Sequence, residues 1–152
     1  MKNGRLRLPV KLIKLIRLFR GDLSTCGPMD WNTPKGAWGN CEEASVLFCQ
    51  FLDENRDEEK GFRTRVHSTE GYLGSLNDGD PRYLRDFADC KDDLGHYIAS
   101  VKVDRRLIFV DWTARQFDAT HSYPLILDVA GISTLWRHVE DVNVEVYHEP
   151  YA

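Results

Sequence analysis

Cys41 is the residue whose type and position most directly suggest chemistry. It begins the stretch CEEASVLFCQFLDEN, in which apolar residues recur every three or four positions, so an amphipathic helix over 41–55 is predicted. A cysteine attacks as its thiolate, and the unpaired N–H groups at a helix N-terminus lower the pKa of a thiol placed there. Cys41 is therefore the strongest candidate nucleophile in the sequence.

The other three cysteines lack this support. Cys49 lies eight residues further along the same predicted helix, where a place in the core is expected. Cys26 falls in an irregular loop and Cys90 at the end of a predicted short helix, and a disulfide between them stays open. No C-x-x-C pair occurs and the histidines show no zinc-type spacing, so the sequence predicts neither a metal nor a cofactor. Thiols in this number are typical of a reducing compartment.

A nucleophilic cysteine needs a base, and the base needs a partner that orients it. The stretches HYIASVKV and RLIFVDWT alternate as strands do and flank a turn at Asp104–Arg106, which predicts an antiparallel hairpin. His96 opens the first strand and Asp111 ends the second, so the two lie at the same end of the hairpin, nearly opposite, with Cβ atoms about 5 Å apart. His96 is the predicted base, and Asp111 is predicted to fix its tautomer.

The segments GNCEEAS and GHYIASVKV…LIFVDWTARQFD together resemble the papain-like/transglutaminase-like cysteine superfamily. The histidine follows the cysteine by 55 residues and the aspartate follows the histidine by 15. DWTARQFD also resembles segments of papain-fold toxin and deamidase-like domains and of small uncharacterised bacterial or phage proteins. The resemblance covers roughly residues 36–120 and is a hypothesis at the level of motifs. It implies an α+β fold with the nucleophile helix on a small antiparallel sheet, and a catalytic triad of Cys41, His96 and Asp111.

The sequence departs from the papain pattern before Cys41, where it has TPKGAWGN and no glutamine to bind an oxyanion. The backbone N–H of Cys41 is one candidate donor, and Asn40, Trp38 or Trp31 is a candidate for the other. Gln116 either lines the site or bonds the backbone near Asp111, with the structural role favoured. The remaining aromatic and imidazole side chains are assigned to the core (Trp112, Phe117) or to the surface and loops (His67, His121, His138, His148).

Other stretches predict the rest of a single α+β domain. FRTRVHS is predicted as a strand, PRYLRDFADC and STLWRHVE as short helices, and VNVEVYH as a last strand, with an irregular loop over 21–39. Helices come first and antiparallel strands follow. A length of 152 residues suits one domain, assigned to 21–152, with a separate helix over 1–20.

The N-terminal helix is basic and amphipathic. The first 20 residues hold seven Lys and Arg and no acid, whereas the whole chain has 20 basic and 24 acidic residues. The apolar face of the helix either docks on the domain, which is the favoured interpretation, or contacts a partner or a membrane surface through residues 5–20. This apolar face and the net charge of −4 argue against nucleic acid.

The sequence therefore predicts a cysteine-dependent acyl-transfer enzyme that acts on a protein, peptide or other amide substrate, as an amidase, deamidase or peptidase. The alternative is a catalytically inactive binding module whose basic helix engages a partner or a membrane surface. Lys14 and Arg17 interrupt the apolar run at the N-terminus, no cleavage site follows it, and no run approaches the roughly 20 residues that span a bilayer. A cytoplasmic location is the expectation.

Overall fold

In the described residues three helices come first, and the strands follow with one further short helix before the last strand. The computed structural model describes residues 6–25, 31–55, 62–74, 76 and 95–142. Within them, the elements in chain order are α1 (Val10–Thr25), α2 (Pro34–Ala37), α3 (Cys41–Asn55), β1 (Arg63–Tyr72), β2 (Gly95–Val103), β3 (Arg106–Asp111), a 3₁₀ turn (Ala114–Gln116), β4 (Leu125–Leu127), α4 (Val129–Leu135) and β5 (Trp136–Val142). The predicted α+β class and the predicted helix over 41–55 are confirmed.

The strands form one antiparallel sheet in the order β4-β3-β2-β1-β5. Its centre is the predicted hairpin of β2 and β3, whose register pairs Val103 with Arg106. The turn is therefore Asp104–Arg105, one residue shorter than predicted, and both residues have positive φ (52° and 64°). Two central residues in this conformation twist the chain as the flanking strands require. The start of β2 and the end of β3 therefore lie side by side at the end of the hairpin away from the turn.

One face of the sheet carries α1 and α3. Alternation along the strands sends every second side chain to this face, where they meet the apolar sides of the two helices. The principal members of this first core are Leu12, Leu15, Ile16, Phe19, Phe48, Leu52, Val66, Ala99, Val101, Ile108, Val110 and Trp112. The ring of Phe19 lies 5.1 Å from that of Phe48 and 5.0 Å from that of Trp112. Helix α1 thus docks on the chain's own body.

The opposite face holds a second, smaller core. It is formed by Tyr72, Ile98, Phe109, Phe117, Ile132 and Trp136. Since Ile98 faces this core, His96, two residues earlier on β2, faces the same way, whereas Ala99 and Val101 face the helices. The aromatic prediction for Trp112 and Phe117 is confirmed, because both are buried, one in each core.

Three predicted boundaries are wrong. Helix α1 continues past Gly21 and ends at Thr25. The stretch 21–39 is not wholly irregular, since Thr33 caps the short α2. The helix predicted in STLWRHVE ends at Leu135, and Trp136 begins β5, whose pairing with β1 overrides the local preference. The predicted helix over 81–90 and most of the predicted last strand lie outside the described residues.

No helix within the described ranges is long and apolar enough to cross a bilayer.

Candidate active site

Cys41 is the first residue of α3 and is partly buried. The carbonyl of Asn40 accepts the first helical hydrogen bond from Ala44 N at 2.9 Å, so the N–H groups of the first turn have no partner within the helix. The side chain of Asn40 donates to the carbonyl of Gly36 at 2.7 Å and braces the turn that leads from α2 into α3. The thiol therefore lies at the N-terminal end of a helix whose entry is held in place.

His96 and Asp111 meet at the end of the hairpin. His96 Nε2 lies 2.7 Å from Asp111 Oδ2, and both side chains are almost fully buried. Since Ala99 pairs with Val110, Asp111 extends that register opposite Ile98, and His96 is its diagonal neighbour rather than its direct partner. The other carboxylate oxygen accepts the backbone N–H of Thr113 at 2.9 Å and holds the carboxylate in place.

The thiol of Cys41 and the imidazole of His96 shift each other's pKa, through hydrogen bonding and through charge. Burial raises the pKa of Cys41, but the hydrogen bond and positive charge of His96 and the backbone N–H of Tyr97 outweigh burial, so the pKa falls below its ordinary value. Burial lowers the pKa of His96, but the carboxylate of Asp111 and the hydrogen bond to Cys41 raise it to about 10. The two shifts together favour a thiolate–imidazolium pair at neutral pH.

Two aromatic side chains enclose the imidazole. The ring of Trp136 stacks on that of His96, with centroids 5.4 Å apart and planes at 15°, and the ring of Phe117 meets it edge-on at 4.9 Å. The imidazole thus belongs to the second face of the sheet, whereas α3 lies on the first. Cys41 approaches the imidazole at the end of the central strand, where β2 begins at Gly95.

Gln116 touches the base directly. Its Nε2 donates to the carbonyl of Thr113 at 3.1 Å and lies 3.3 Å from His96 Nδ1. A carbonyl can only accept, so Thr113 fixes which end of the amide faces the histidine. The favoured structural role is therefore observed together with a contact to the site. The N–H of that amide favours the neutral imidazole. The buried carboxylate of Asp111, 2.7 Å from the ring, favours the imidazolium more strongly, because it is a full negative charge.

The predicted donors to an oxyanion differ in their burial and in their hydrogen bonds. The side-chain amide of Asn40 already donates one hydrogen bond to the carbonyl of Gly36. The side chain of Trp38 is 49 % exposed, and that of Trp31 is buried in the first core with Phe19. The backbone N–H of Cys41 remains the donor best placed by its position in the first turn of α3.

Cys49 is an inert contrast to Cys41. Its sulfur lies 3.5 Å from the carbonyl of Arg65, and burial, aided by the charge of Asp53, raises its pKa to about 12. The core position predicted for Cys49 is confirmed. Cys26 and Cys90, and with them the open disulfide, lie outside the described residues.

His67 is not the surface or loop residue that the sequence predicts. It is buried in β1, with Nε2 2.6 Å from Ser100 Oγ and Nδ1 2.9 Å from Asp141 Oδ1. Burial lowers its pKa more strongly than Asp141 raises it. His121 is partly buried and His138 is exposed, whereas His148 lies outside the described residues.

A polar pocket of about 410 Å³ lies along the start of β2 and the adjoining parts of β1 and β5. Its wall includes His96 and Tyr97, the two residues that are hydrogen-bonded to the sulfur of Cys41. Ser68, Glu70 and Glu140 line it from the neighbouring strands. Cys41 is not among the described residues that line the pocket, which adjoins the thiol through His96 and Tyr97.

The sequence reasoning missed three parts of this site: the N–H of Tyr97, the wall formed by Trp136 and Phe117, and the pocket. A backbone N–H leaves no trace in residue types. Trp136 was assigned to a helix, and only its pairing with Tyr72 brings β5 beside β2 through β1. Phe117 was assigned to the core without a contact to the histidine.

No protein-family model matches this chain, and neither a curated protein nor a solved structure gives a match. Among the residues that the structure describes, no group of three or more His, Cys, Asp or Glu side chains is arranged to hold a metal ion.

Proposed function

We propose that this chain is a cysteine-dependent acyl-transfer enzyme of the papain-like/transglutaminase-like kind, acting on carboxamide or peptide bonds. One observation carries the proposal: Nε2 of His96 lies 2.7 Å from the buried carboxylate of Asp111, and the same imidazole lowers the pKa of the thiol that begins α3. A nucleophile, a base and a residue that orients the base are the parts that covalent acyl transfer requires.

The chemistry follows from the protonation states. The sulfur of Cys41 attacks the carbonyl carbon while His96 holds the thiol's proton, and the carbonyl oxygen becomes an oxyanion near the N–H of Cys41. The C–N bond then breaks as His96 gives that proton to the leaving amine or ammonia, and a thioester remains. Water attacks the thioester, its proton passes to His96, and the acid and the free thiol are released. Asp111 stabilises the imidazolium throughout.

The element order supports the papain-like or transglutaminase-like assignment. The nucleophile begins a helix packed on an antiparallel sheet, the histidine opens a strand, and the aspartate ends the next strand. The resemblance of DWTARQFD to toxin and deamidase-like segments favours an amidase or deamidase over a peptidase. Within this motif, Asp111 and Gln116 both contact His96, so the motif contains the residues that orient the base.

The direct test is competitive alkylation of the folded protein with limiting iodoacetamide at pH 7, read for each cysteine by peptide mass spectrometry. A thiol with a lowered pKa reacts about three-fold faster than free cysteine at this pH, because its larger thiolate fraction outweighs the lower nucleophilicity of the thiolate. Cys41 is expected to react fastest of the four cysteines and to lose this advantage in His96→Asn. His121→Asn is the matched control, because His121 is partly buried but contacts Tyr72 rather than the thiol.

Fast labelling of Cys26 or Cys90 together with an inert Cys41 would contradict the proposal. Circular dichroism and a denaturant titration of each variant separate a chemical effect from unfolding. Incubation with glutamine-containing peptides then distinguishes the reactions by mass, since deamidation adds about one dalton, cleavage gives fragments, and transfer adds an amine. Cys41→Ala is expected to abolish each of these products.

A second candidate, an inactive module that binds through its basic helix, is favoured by the surface of α1. While its apolar face is buried, α1 exposes Lys14, Arg17 and Leu18 to solvent. This surface suits an acidic protein partner or an anionic membrane surface. Binding to phosphatidylserine vesicles that is lost in Lys14→Glu/Arg17→Glu, with Cys41 unreactive, would favour this candidate over the enzyme.

A further inference from the structure

The pocket at the start of β2 has a chemical bias that the thiol and imidazole do not explain. Its wall on β1 and β5 carries two carboxylates, Glu70 and Glu140, together with His138, and none of the described residues that line it is Lys or Arg. Both glutamates are exposed. Within the described part of the chain, neither one has an ion-pair partner.

The strand register places these carboxylates side by side on the face that carries α3. Ser68 pairs with Tyr97 on one side and with Glu140 on the other, while Glu70 pairs with His138. Directly paired residues point to the same face, and Tyr97 packs against the first core beneath α3. Glu70 and Glu140 are therefore diagonal neighbours, with Cβ atoms about 7 Å apart, and they repel each other.

The same register connects the carboxylates to the reacting atoms. Glu70 pairs with Gly95, the residue before His96, and the N–H of Tyr97 is hydrogen-bonded to the sulfur of Cys41. Among the described residues, a Cβ atom built on Gly95 would approach only the carbonyl of Thr69, at 3.8 Å, so none of them fills the pocket at Gly95. A group held between the carboxylates therefore lies one strand away from the nucleophile.

We propose that this pocket binds a cationic side chain, an ammonium or guanidinium group, next to the amide carbonyl that Cys41 attacks. The assignment rests on the function proposed above and names its substrate class: an amide whose acyl part carries a positive charge. Such a group relieves the repulsion between Glu70 and Glu140, and the hydroxyl of Ser68 supplies a further acceptor. Each carboxylate at about 6 Å in a solvated pocket favours the cation by about three-fold.

Charge-matched thiol reagents test the pocket on the intact protein. The rates at which Cys41 reacts with aminoethyl methanethiosulfonate, a cation, and sulfonatoethyl methanethiosulfonate, an anion, are divided by those of free cysteine. The cation-to-anion ratio is expected to exceed one and to fall about ten-fold in Glu70→Gln and in Glu140→Gln, because each change removes about three-fold of attraction for the cation and about three-fold of repulsion of the anion. Glu54→Gln, an exposed glutamate at the far end of α3, is the matched control and is expected to leave the ratio unchanged.

A second readout needs no reactive thiol. N-acetylarginine amide and its neutral analogue N-acetylcitrulline amide are titrated into Cys41→Ala and followed by amide NMR shifts. The arginine compound is expected to shift the amides of Ser68 and Gly95 and to bind at least three-fold more tightly than the citrulline compound. Equal affinity of the two compounds, or shifts confined to another surface, overturns the pocket assignment.

The two readouts separate the failure of each proposal. A reactive Cys41 whose charge ratio does not change in Glu70→Gln or Glu140→Gln overturns the cationic pocket and leaves the enzyme standing. An inert Cys41 in a protein that binds N-acetylarginine amide at Ser68 and Gly95 overturns the enzyme, and with it the substrate class, and leaves a cation-binding pocket.

Discussion

At the scale of single residues, the site depends on how one buried carboxylate alters two titrations. Asp111 stabilises the imidazolium of His96, and the imidazolium stabilises the thiolate of Cys41. The carboxylate thus acts on the thiol mainly through the histidine, because its own negative charge raises the pKa of Cys41 slightly. A change at Asp111 should therefore be visible at Cys41 even though the carboxylate is bonded to the histidine and not to the sulfur.

The pH dependence of Cys41 alkylation tests this chain of effects. In the wild type, the alkylation rate is expected to rise with pH through an inflection below the ordinary cysteine pKa of about 8.5. The thiolate loses its imidazolium partner only as the pH passes about 10, where His96 deprotonates. In Asp111→Asn the histidine is neutral at pH 7, so the inflection should move upward. An unchanged inflection in a folded Asp111→Asn would contradict the role given to the carboxylate.

Gln116 should act in the opposite direction. Its Nε2 lies 3.3 Å from His96 Nδ1 and favours the neutral ring, so Gln116→Met, which keeps the volume and removes the donor, should strengthen the ion pair. One hydrogen bond of about 1 kcal/mol corresponds to a downward shift of the Cys41 inflection by roughly 0.5 to 1 pH unit. Gln50→Met on α3 is the control. An upward shift would mean that Gln116 supports the ion pair.

At the scale of elements, a hydrogen-bonded histidine ties three strands together. His67 on β1 bonds Ser100 on β2 and Asp141 on β5, so it connects the edge strand to the middle of the sheet. Strand β5 begins with Trp136, which stacks on the imidazole of His96. The position of β5 therefore affects both the stability of the sheet and the packing of the active-site base.

This contact should make stability depend on pH. The folded protein holds the pKa of His67 below its ordinary value of about 6.5, so below that pH the unfolded chain binds a proton that the folded chain resists. The stabilisation is present above about 6.5 and is lost as pH falls toward the folded-state pKa. In urea titrations at pH 7.5 and 5.0, the free energy of unfolding should fall more in the wild type than in His67→Gln. An equal fall in both proteins would show that His67 does not titrate differently on unfolding.

At the scale of the whole molecule, α1 belongs to the core and its basic residues belong to the surface. Of the side chains described in this helix, Leu12, Leu15, Ile16 and Phe19 are buried apolar residues, and the ring of Phe19 lies about 5 Å from the rings of Phe48, Phe51 and Trp112. Arg20 places its guanidinium 5.3 Å from the ring centre of Tyr123, which links the helix to the segment before β4. Deleting residues 1–20 would therefore remove part of the core together with the basic surface.

Point substitutions on α1 separate docking from surface binding. Phe19→Ala should lower the free energy of unfolding by about 3–5 kcal/mol, because it removes a buried ring from an aromatic cluster. Leu18→Ala, on the exposed side of the same helix, should change it by no more than about 0.5 kcal/mol. Equal effects in a denaturant titration would indicate that α1 is not docked in solution and is free to contact a partner or a membrane.

The sequence alone determined the local parts of this protein. Apolar spacing predicted α3 with Cys41 as its first residue, and alternation around one turn predicted that His96 and Asp111 meet, because helix periodicity and a two-residue hairpin depend only on nearby residues. The α+β order followed from the succession of these patterns. The start of β5 was mispredicted, because the pairing with β1 that decides it comes from a distant segment.

Only the tertiary structure decided which groups surround the triad. The pairing of β5 with β1 brings Trp136 against His96, although the two are 40 residues apart, and places Glu140 beside Ser68. The hydrogen bonds of His67 and the position of the Tyr97 N–H also depend on the register of the strands. A shift of one residue would turn every side chain of a strand to the opposite face of the sheet. Because register between distant strands is set by the packing of both faces at once, no local pattern contains it.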